Sequence, residues 1–376
     1  DPAREAPASG LAWRGAQALK RLLREQALMT VALAPLTLLL FGQVSLVGLA
    51  ANLIAIPWVT LVVTPLALLG LLAPPLWTAA AGAVDALVPL LQWLAAWPGA
   101  VLHRPVPPLP LALAAVVGGV LLAMRLPAVV RAAGAWLVLP VLLWAPPRPP
   151  EGAFELLALD VGQGGAVLVR TARHALLYDT GPAWSPEADA GERIVLPLLR
   201  ALGERPDTVV VSHRDSDHSG GAKAVRAAFA QARWLSSYDE APANHCLAGQ
   251  RWTWDGVDFE ILHPGPEAWA NRGLSTNAMS CVLRVATRQG ASAWLTGDLP
   301  AAQEVRLALE RPSERATLLL APHHGSASSS SPVLLNTLRP RRVVVQAGHR
   351  NRFGHPAPVV VQRYAERGIP WVQTPD

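Results

Sequence analysis

Thr208-Val-Val-Val-Ser-His-Arg-Asp-Ser-Asp-His-Ser-Gly-Gly221 decides how the second half of this chain is read. An apolar β-type run, 208–211, ends in His213, Asp215, Asp217 and His218, two imidazoles and two carboxylates within six residues, and Gly220-Gly221 then leads into a helical stretch. Such density is hard to explain as packing, because these groups are costly to bury unless they are paired or hold a cation. Imidazole and carboxylate converging where a strand ends suit one or two divalent cations, and a helix starting at once fixes the ligand directions. The bland alternative is a solvated polar loop.

Two later stretches repeat the pattern. Trp294-Leu-Thr-Gly-Asp298 puts a carboxylate after an apolar run, and Leu318-Leu-Leu-Ala-Pro-His323-His324-Gly325-Ser326 puts two imidazoles after the next. Alone, Asp298 reads equally as an N-cap for a helix over 300–310, and either histidine as a satisfied core residue. Together with the first loop they read as strand-end ligands on one edge of a sheet. Around them the periodicity predicts strands at 154–160, 166–171, 175–179, 257–262, 279–286, 292–297, 316–321 and 342–346, and helices near 190–202, 219–230, 300–310, 331–338 and 357–367. The first three strands follow one another at turn spacing, as in an antiparallel meander, and the later ones alternate with helices, so this half is an α/β mixture. Trp252 and Trp254 alternate as strand residues do and read as packing rather than base-stacking groups. Gly162–Gly165 reads as a tight turn, and His103, His174, His245 and His263 as surface or capped residues.

The first half has a different composition. The chain has 376 residues, 51% hydrophobic and 16% charged, with mean hydropathy +0.28, which excludes disorder and a purely water-soluble fold. Between Gln26 and His103 the only charged side chain is Asp85. Residues 1–150 hold nine Lys and Arg against four Asp and Glu, and the remainder 23 against 23, so the net charge of +5 resides in the first half. The basic balance therefore reflects membrane flanks rather than nucleic-acid affinity. The expected organisation is a basic segment over 1–26, a transmembrane region over 27–146, a Pro-rich linker over 147–152 and an α/β domain over 153–376. Five spans are predicted, 27–49, 51–73, 76–101, 109–124 and 129–146. Pro35, Pro57 and Pro65 are expected to kink the first two, while Asp85 and Gln92 leave the third open to a spanning or a surface-lying reading. Lys20–Arg24 and the Arg125–Arg131 turn both mark the cytoplasmic side after an even number of crossings, so a fifth crossing puts 151–376 outside it. Cys246 and Cys281 are open to pairing or to two buried free thiols. Ala145-Pro-Pro-Arg-Pro-Pro150 reads as a stiff polyproline-like spacer. Starting on Asp with no signal peptide, the chain is expected to be the C-terminal part of something longer.

These motifs together resemble the metallo-β-lactamase superfamily, and more narrowly the ComEC family of DNA-internalisation competence proteins. The resemblance also covers Leu159-Asp-Val-Gly-Gln-Gly164, Tyr178-Asp-Thr-Gly181, Asn351-Arg-Phe-Gly-His-Pro356, Phe41-Gly-Gln-Val-Ser45 and Ala51–Pro57. It implies a multi-span α-helical membrane region followed by an α/β metallo-β-lactamase-like αββα sandwich. Carried over by position, His213 and Asp215 bind one metal, Asp217 and His218 a second, Asp298 bridges them, and His324 is the last ligand with His323 its rival. Asp215 stands where the wider superfamily has His, and Asn277 where it has its middle His, so the cofactors implied are two divalent ions, Mn or Zn, with oxygen donors tilting toward Mn. Gly165 stands where the family commonly has Asp, a departure that bears on substrate positioning more than on metal.

The implied activity is phosphodiester hydrolysis, with Asp217 orienting the nucleophile and His355 or His323 protonating the leaving oxygen. The implied partners are DNA, of which one strand is translocated, the lipid bilayer and other proteins of the competence machinery, with an oligomer compatible. The implied location is the inner membrane, multi-pass, with the C-terminal domain extracytoplasmic. Arg339, Arg341, Arg342, Arg350 and Arg352 are expected to form one phosphate-gripping cluster around His349 and His355, and Arg350, Arg352 and Asn277 to contact substrate. The rival readings are a non-catalytic DNA-guiding module and a small-molecule metallo-hydrolase of lactam or lactone type.

Overall fold

In the computed structural model, which describes residues 11–239 and 243–374, the chain divides into two units, 1–146 with 200–203, and 147–199 with 204–376. The first ten residues of the expected basic segment lie outside the described residues. Long apolar runs broken by Pro and Gly make the first unit helical: Leu11–Phe41, Gly48–Leu69, Pro75–Ala95, Leu109–Ala123 and Ala128–Leu143. Three of these, taken as Lys20–Phe41, Gly48–Leu69 and Pro75–Ala95, are long and apolar enough to cross a membrane; the last two have 15 and 16 residues.

This corrects the expected spans at three points. The first helix starts at Leu11, so the basic cluster belongs to it, and ends at Phe41, where Gly42 takes φ +62°. The short strand that follows, β1 (Gln43–Ser45), pairs antiparallel with β2 (Val101–His103), a ribbon the hydropathy did not reveal. The third span is one helix of 21 residues carrying Pro89 inside, with Ala80, Leu87 and Leu94 buried and Asp85 exposed. Between Pro57 and Pro65 the second helix loosens into a π-turn, Val59–Val63, as missing proline donors allow. Leu109–Ala123 and Ala128–Leu143 cross with backbones touching: a Cβ on Gly118 would stand 2.5 Å from the carbonyl oxygen of Gly134, the small-residue packing that membrane helices use.

The second unit is a sandwich of two sheets. Its strands are β3 (Glu155–Ala158), β4 (Val167–Arg170), β5 (Ala175–Tyr178), β6 (Ala183–Ser185), β7 (Ala188–Asp189), β8 (Thr208–Val211), β9 (Arg233–Ser236), β10 (Asn244–His245), β11 (Arg251–Trp254), β12 (Val257–His263), β13 (Val282–Thr287), β14 (Ser292–Leu295), β15 (Leu318–Leu320), β16 (Arg342–Gln346) and β17 (Trp371–Thr374). One sheet runs β10-β9-β8-β5-β4-β3, the other β11 to β17 in order, and β6 with β7 forms a separate hairpin. The expected meander is β3-β4-β5, antiparallel throughout, after which β5, β8, β9 and β10 are parallel, as are β14 to β17.

Period-two burial explains the layers. Val167, Val169, Leu176, Tyr178 and Val210 face Phe259, Ile261, Leu283, Val285 and Leu295 in the core between the sheets, where Trp252 and Trp254 also pack. On the far face of the second sheet Trp294, Val343 and Val345 meet Leu307, Leu334, Val360 and Tyr364 of the helices Ala301–Glu310, Pro332–Leu338 and Pro358–Glu366. Helices Leu196–Leu202 and Ala222–Ala228, with Leu199 and Val225 buried, complete the αββα order on the first sheet's outer side. One open alternative is decided here and one expectation changes. Cys246 and Cys281 form a disulfide, and the 147–152 segment is no free spacer: Arg148 ion-pairs Glu204, and the Pro147 carbonyl accepts from Arg170.

Candidate metal centre

Parallel strands carry their outgoing loops to the same edge, and five of them do so here. Tyr178 ends β5 just before Asp179, Val211 ends β8 before 212–218, Leu295 ends β14 before Asp298, Leu320 ends β15 before His323-His324, and Gln346 ends β16 before 347–355. Ser280 reaches the same edge, since β13 runs antiparallel to β14, and its hydroxyl accepts from the Asp298 N–H.

At that edge one ligand atom each of Asp217, His218, Asp298 and His324 lies within 4.8 Å of all the others. His218 Nε2 is 3.1 Å from His324 Nε2 and 3.0 Å from Asp298 Oδ1. His324 Nε2 is 3.4 Å from both Asp217 Oδ2 and Asp298 Oδ1. The His213 ring lies 4.3 Å from that of His218, tilted by 47°, with its Nε2 3.6 Å from Asp215 Oδ2. The six candidate ligands of the sequence reading therefore lie near one another, four in one tight group and His213 with Asp215 beside it. His323 stands apart, its Nε2 3.5 Å from the other Asp298 oxygen. The Thr276 hydroxyl donates to Asn277 Oδ1 at 3.1 Å, and Thr276 is one of the groups that lower the Asp215 carboxyl, after His213, which puts Asn277 on the His213 side. His355 packs at 6.4 Å from the His324 ring and 5.9 Å from that of His323.

A cation fits these residues by their unspent valences. His213 Nε2, Asp298 Oδ1, His323 Nδ1 and His355 Nδ1 are buried without a hydrogen bond; for Asp298 Oδ1 this holds although His218 Nε2 is in contact distance. Buried polar atoms are almost always paired, so unpaired ones on His213 and Asp298, beside His218 and His324, are what a metal site looks like when its protein groups alone are counted. The electrostatics agree. Burial alone would push the His218 imidazole down, but Asp298 and Asp179 outweigh it and hold it well above its usual value; burial would raise Asp298, yet His218 and His324 pull it well below. Asp217 is likewise held at about 2, against burial, by a hydrogen bond from His324 and the charge of His218. Carboxylates that keep their charge this strongly attract protons or cations to the neighbouring imidazoles, and metal binding would release those protons.

The candidate ligands are held from behind. Asp179, missed as a site residue, accepts from Ser212 N at 2.6 Å, Ser212 Oγ at 2.9 Å and His218 Nδ1 at 2.7 Å, so His218 presents Nε2 to the group. Ser212 Oγ holds His213 Nδ1 at 3.0 Å, and the Gln346 carbonyl holds His324 Nδ1 at 2.7 Å. His323 and His324 both take left-handed φ, +49° and +54°, strain that a binding site concentrates. The signal for Asp179 was a carboxylate closing the apolar run 175–178.

Two expectations move. Gly165 lies against the candidate ligand His218 and its partner Asp179, since a Cβ there would stand 2.8 Å from His218 Nδ1 and 3.1 Å from Asp179 Oδ2. The five arginines are not one cluster. Arg339 and Arg341 line a cleft with Arg367 at the entry of β16, whereas Arg352 lines a second cleft with Asp217 and His349 beyond its exit; the strand between spans roughly 15 Å.

Two sheets, flanking helices and a His/Asp group on one rim define a metallo-β-lactamase fold. The metallo-beta-lactamase superfamily model matches residues 159–280 and the competence-protein model residues 3–129. Competence protein ComA of Neisseria gonorrhoeae is 37% identical over 89% of this chain and 48% of its own. The uncharacterized protein YcaI of Escherichia coli strain K12 is 31% identical over 96% of this chain and 48% of its own. The crystal structure of the metallo-beta-lactamase fold protein YhfI from Bacillus subtilis matches 59% of this chain and 96% of its own, at 13% identity and a TM-score of 0.39. The chain belongs to the ComEC family of competence proteins, and it spans about half the length of these curated relatives.

Proposed function

We propose that the chain is the part of a DNA-uptake protein that joins membrane-spanning helices to a divalent-metal-dependent nuclease domain, which hydrolyses one strand while the other crosses the inner membrane. The observation that carries the reading is the meeting of Asp217, His218, Asp298 and His324 within 4.8 Å, with His213 and Asp215 alongside. The competence name of the Neisseria gonorrhoeae relative supports the biological setting. Two divalent ions, manganese or zinc, would supply Lewis-acid stabilisation of the phosphoryl charge and an activated water. His213 and Asp215 would hold one, Asp217, His218 and His324 the other, and Asp298 both. Asp217, a third exposed, borders the open cleft and would orient the attacking water. His323 and His355 stand on the same rim and would pass a proton to the departing oxygen. Arg350, Arg352 and Asn277 would contact the substrate. The Cys246–Cys281 disulfide supports an oxidising, extracytoplasmic place for this unit.

The test is cleavage of labelled single-stranded oligonucleotides by the full chain in detergent, with Mn²⁺, Zn²⁺ or Mg²⁺. Cleavage that EDTA and Asp217→Ala both abolish is the expected result. DNA binding without cleavage under all three metals would leave a guiding module, and faster turnover of a chromogenic lactam than of DNA would replace the nuclease reading.

A further inference from the structure

The motif Asn351-Arg-Phe-Gly-His-Pro356 has so far explained one proton donor and one cation, leaving Phe353 without a purpose. Phe353 is 53% exposed and Trp184, on the β6–β7 hairpin, is 50% exposed. Among the described residues of this unit, the large hydrophobics left exposed include only these two aromatic rings. Both line the same cleft of about 620 Å³, whose wall also contains Asp217, His349 and Arg352. Exposed aromatics scattered over a surface need no explanation, but two sharing one cleft with a ligand of the metal group do.

Both segments that carry the rings are held in place. A Cβ on Gly220 would stand 2.1 Å from the Ala183 N–H nitrogen, so the hairpin bearing Trp184 sits directly on the loop that carries Asp217 and His218. On the other side, Asn351 builds the loop around Phe353: its Nδ2 donates to the carbonyls of Gly348 and His355, and its Oδ1 accepts from Phe353 N and His355 N. The Arg352 guanidinium lies 4.8 Å over the Phe353 ring, and the His355 ring lies 5.7 Å away on a plane tilted by 25°. Arg352 enters no ion pair among the described residues, so it brings uncompensated positive charge to a flat π surface. Flat rings, a free guanidinium and adjacency to a hydrolytic centre match an unpaired nucleobase with its flanking phosphate; stacking of this kind tolerates any base.

We propose that Trp184 and Phe353 form a stacking subsite for the unpaired base next to the scissile phosphodiester, so that this cleft selects single-stranded DNA. The proposal rests on the nuclease reading for the word scissile, but not for the binding it describes.

The test measures binding of a fluorescein-labelled twelve-residue oligothymidylate to the full chain in detergent with EDTA, by anisotropy, and scans an abasic site along the oligonucleotide. Trp184→Ala and Phe353→Ala should each weaken binding about tenfold, and Trp184→Phe should recover most of the loss. One abasic position should weaken binding to the unmodified chain by a similar factor and cause no further loss in Trp184→Ala. If Trp184→Ala melts earlier and does not fold, the abasic scan on the unmodified chain decides alone. Equal binding at every abasic position, or no binding of single strands, overturns the proposal. Position-dependent binding together with absent cleavage in Mn²⁺ would uphold the subsite while removing the nuclease reading.

Discussion

Asp179→Asn is the perturbation that separates a metal centre from an ordinary buried polar cluster. Asp179 is buried, with φ +62°, a backbone conformation that asparagine tolerates well, so the variant changes chemistry without changing the turn. Its Oδ1 accepts from Ser212 N at 2.6 Å, an obligation that the amide oxygen of asparagine keeps. The Nδ2 must then replace Oδ2, which now accepts from His218 Nδ1 at 2.7 Å. A donor facing a donor leaves two outcomes. Either His218 moves its proton to Nε2, the atom 3.0 Å from Asp298 and 3.1 Å from His324, or two N–H groups remain opposed. The first blocks the lone pair a cation would use; the second costs about 1–3 kcal/mol of stability.

Loss of such a supporting carboxylate weakens metal affinity about 10- to 100-fold, or roughly 1.4–2.7 kcal/mol. Titrating Mn²⁺ into the full chain in detergent and following free Mn²⁺ by its electron paramagnetic resonance signal reads this directly, with a thermal melt by circular dichroism as the folding control. A folded Asp179→Asn chain binding Mn²⁺ as tightly as the unmodified chain would refute the argument, because His218 would then not depend on Asp179 for its direction.

The other predictions concern the frame. Gly165→Asp, which places the family's common residue at this position, should cost about 1–3 kcal/mol and lower metal affinity, because its Cβ would collide with His218; a melt at the unmodified temperature would count against that. Reduction of Cys246–Cys281, which closes a loop of 35 residues, should remove about 3–4 kcal/mol and lower the melting temperature of this unit by about 10 °C, checked by scanning calorimetry with and without dithiothreitol. Glu304, fully buried, accepts the N–H groups of Ser330 and Ser331 ahead of the helix Pro332–Leu338, so Glu304→Ala should destabilise by about 2–4 kcal/mol in urea unfolding. Burial opposes ionisation of Asp255, but hydrogen bonds from Thr171 and Arg173 and the Arg173 charge outweigh it and hold the carboxyl at about 2. A depressed carboxyl stabilises the fold above its unfolded pKa, so the stability gap between the unmodified chain and Asp255→Asn should be constant near neutrality, shrink from about pH 4 and be largely gone near pH 2.

What the sequence made legible was whatever one segment could announce by itself. The run 208–211 and the loop to His218 form a strand, a turn and a helix within a few residues, and their chemistry is local. Asp179 was different, since its partners Ser212 and His218 lie 33 and 39 residues along the chain and only the parallel pairing of β5 with β8 brings them together. The strands that were missed, β1, β2, β6, β7, β9, β10 and β17, are two to four residues long, too short to establish an alternating pattern. The five arginines mislead for the opposite reason. Closeness in sequence looks like a patch, but a β-strand is the most extended form a chain takes, and the whole of β16 lies between Arg341 and Arg352.

Position 165 shows how far the frame determines the chemistry. With Asp179 bonded to both Ser212 and His218, the space beside His218 Nδ1 is already filled by one carboxylate, and a Cβ at 165 would approach Asp179 Oδ2 to 3.1 Å. Two carboxylates there would repel each other in a buried setting and displace the imidazole that both approach. Glycine at 165 and aspartate at 179 are therefore one choice rather than two: the backbone of 165 packs flat against the ring, its N–H donates to the Asp217 carbonyl at 3.0 Å, and its carbonyl accepts from Gly181 at 2.8 Å. The turn that seemed, in sequence, to have lost a polar group is bonded instead to the loop carrying two of the candidate ligands, Asp217 and His218. Its effect on metal binding should therefore run through the direction of His218, the same quantity that Asp179→Asn perturbs from the other side.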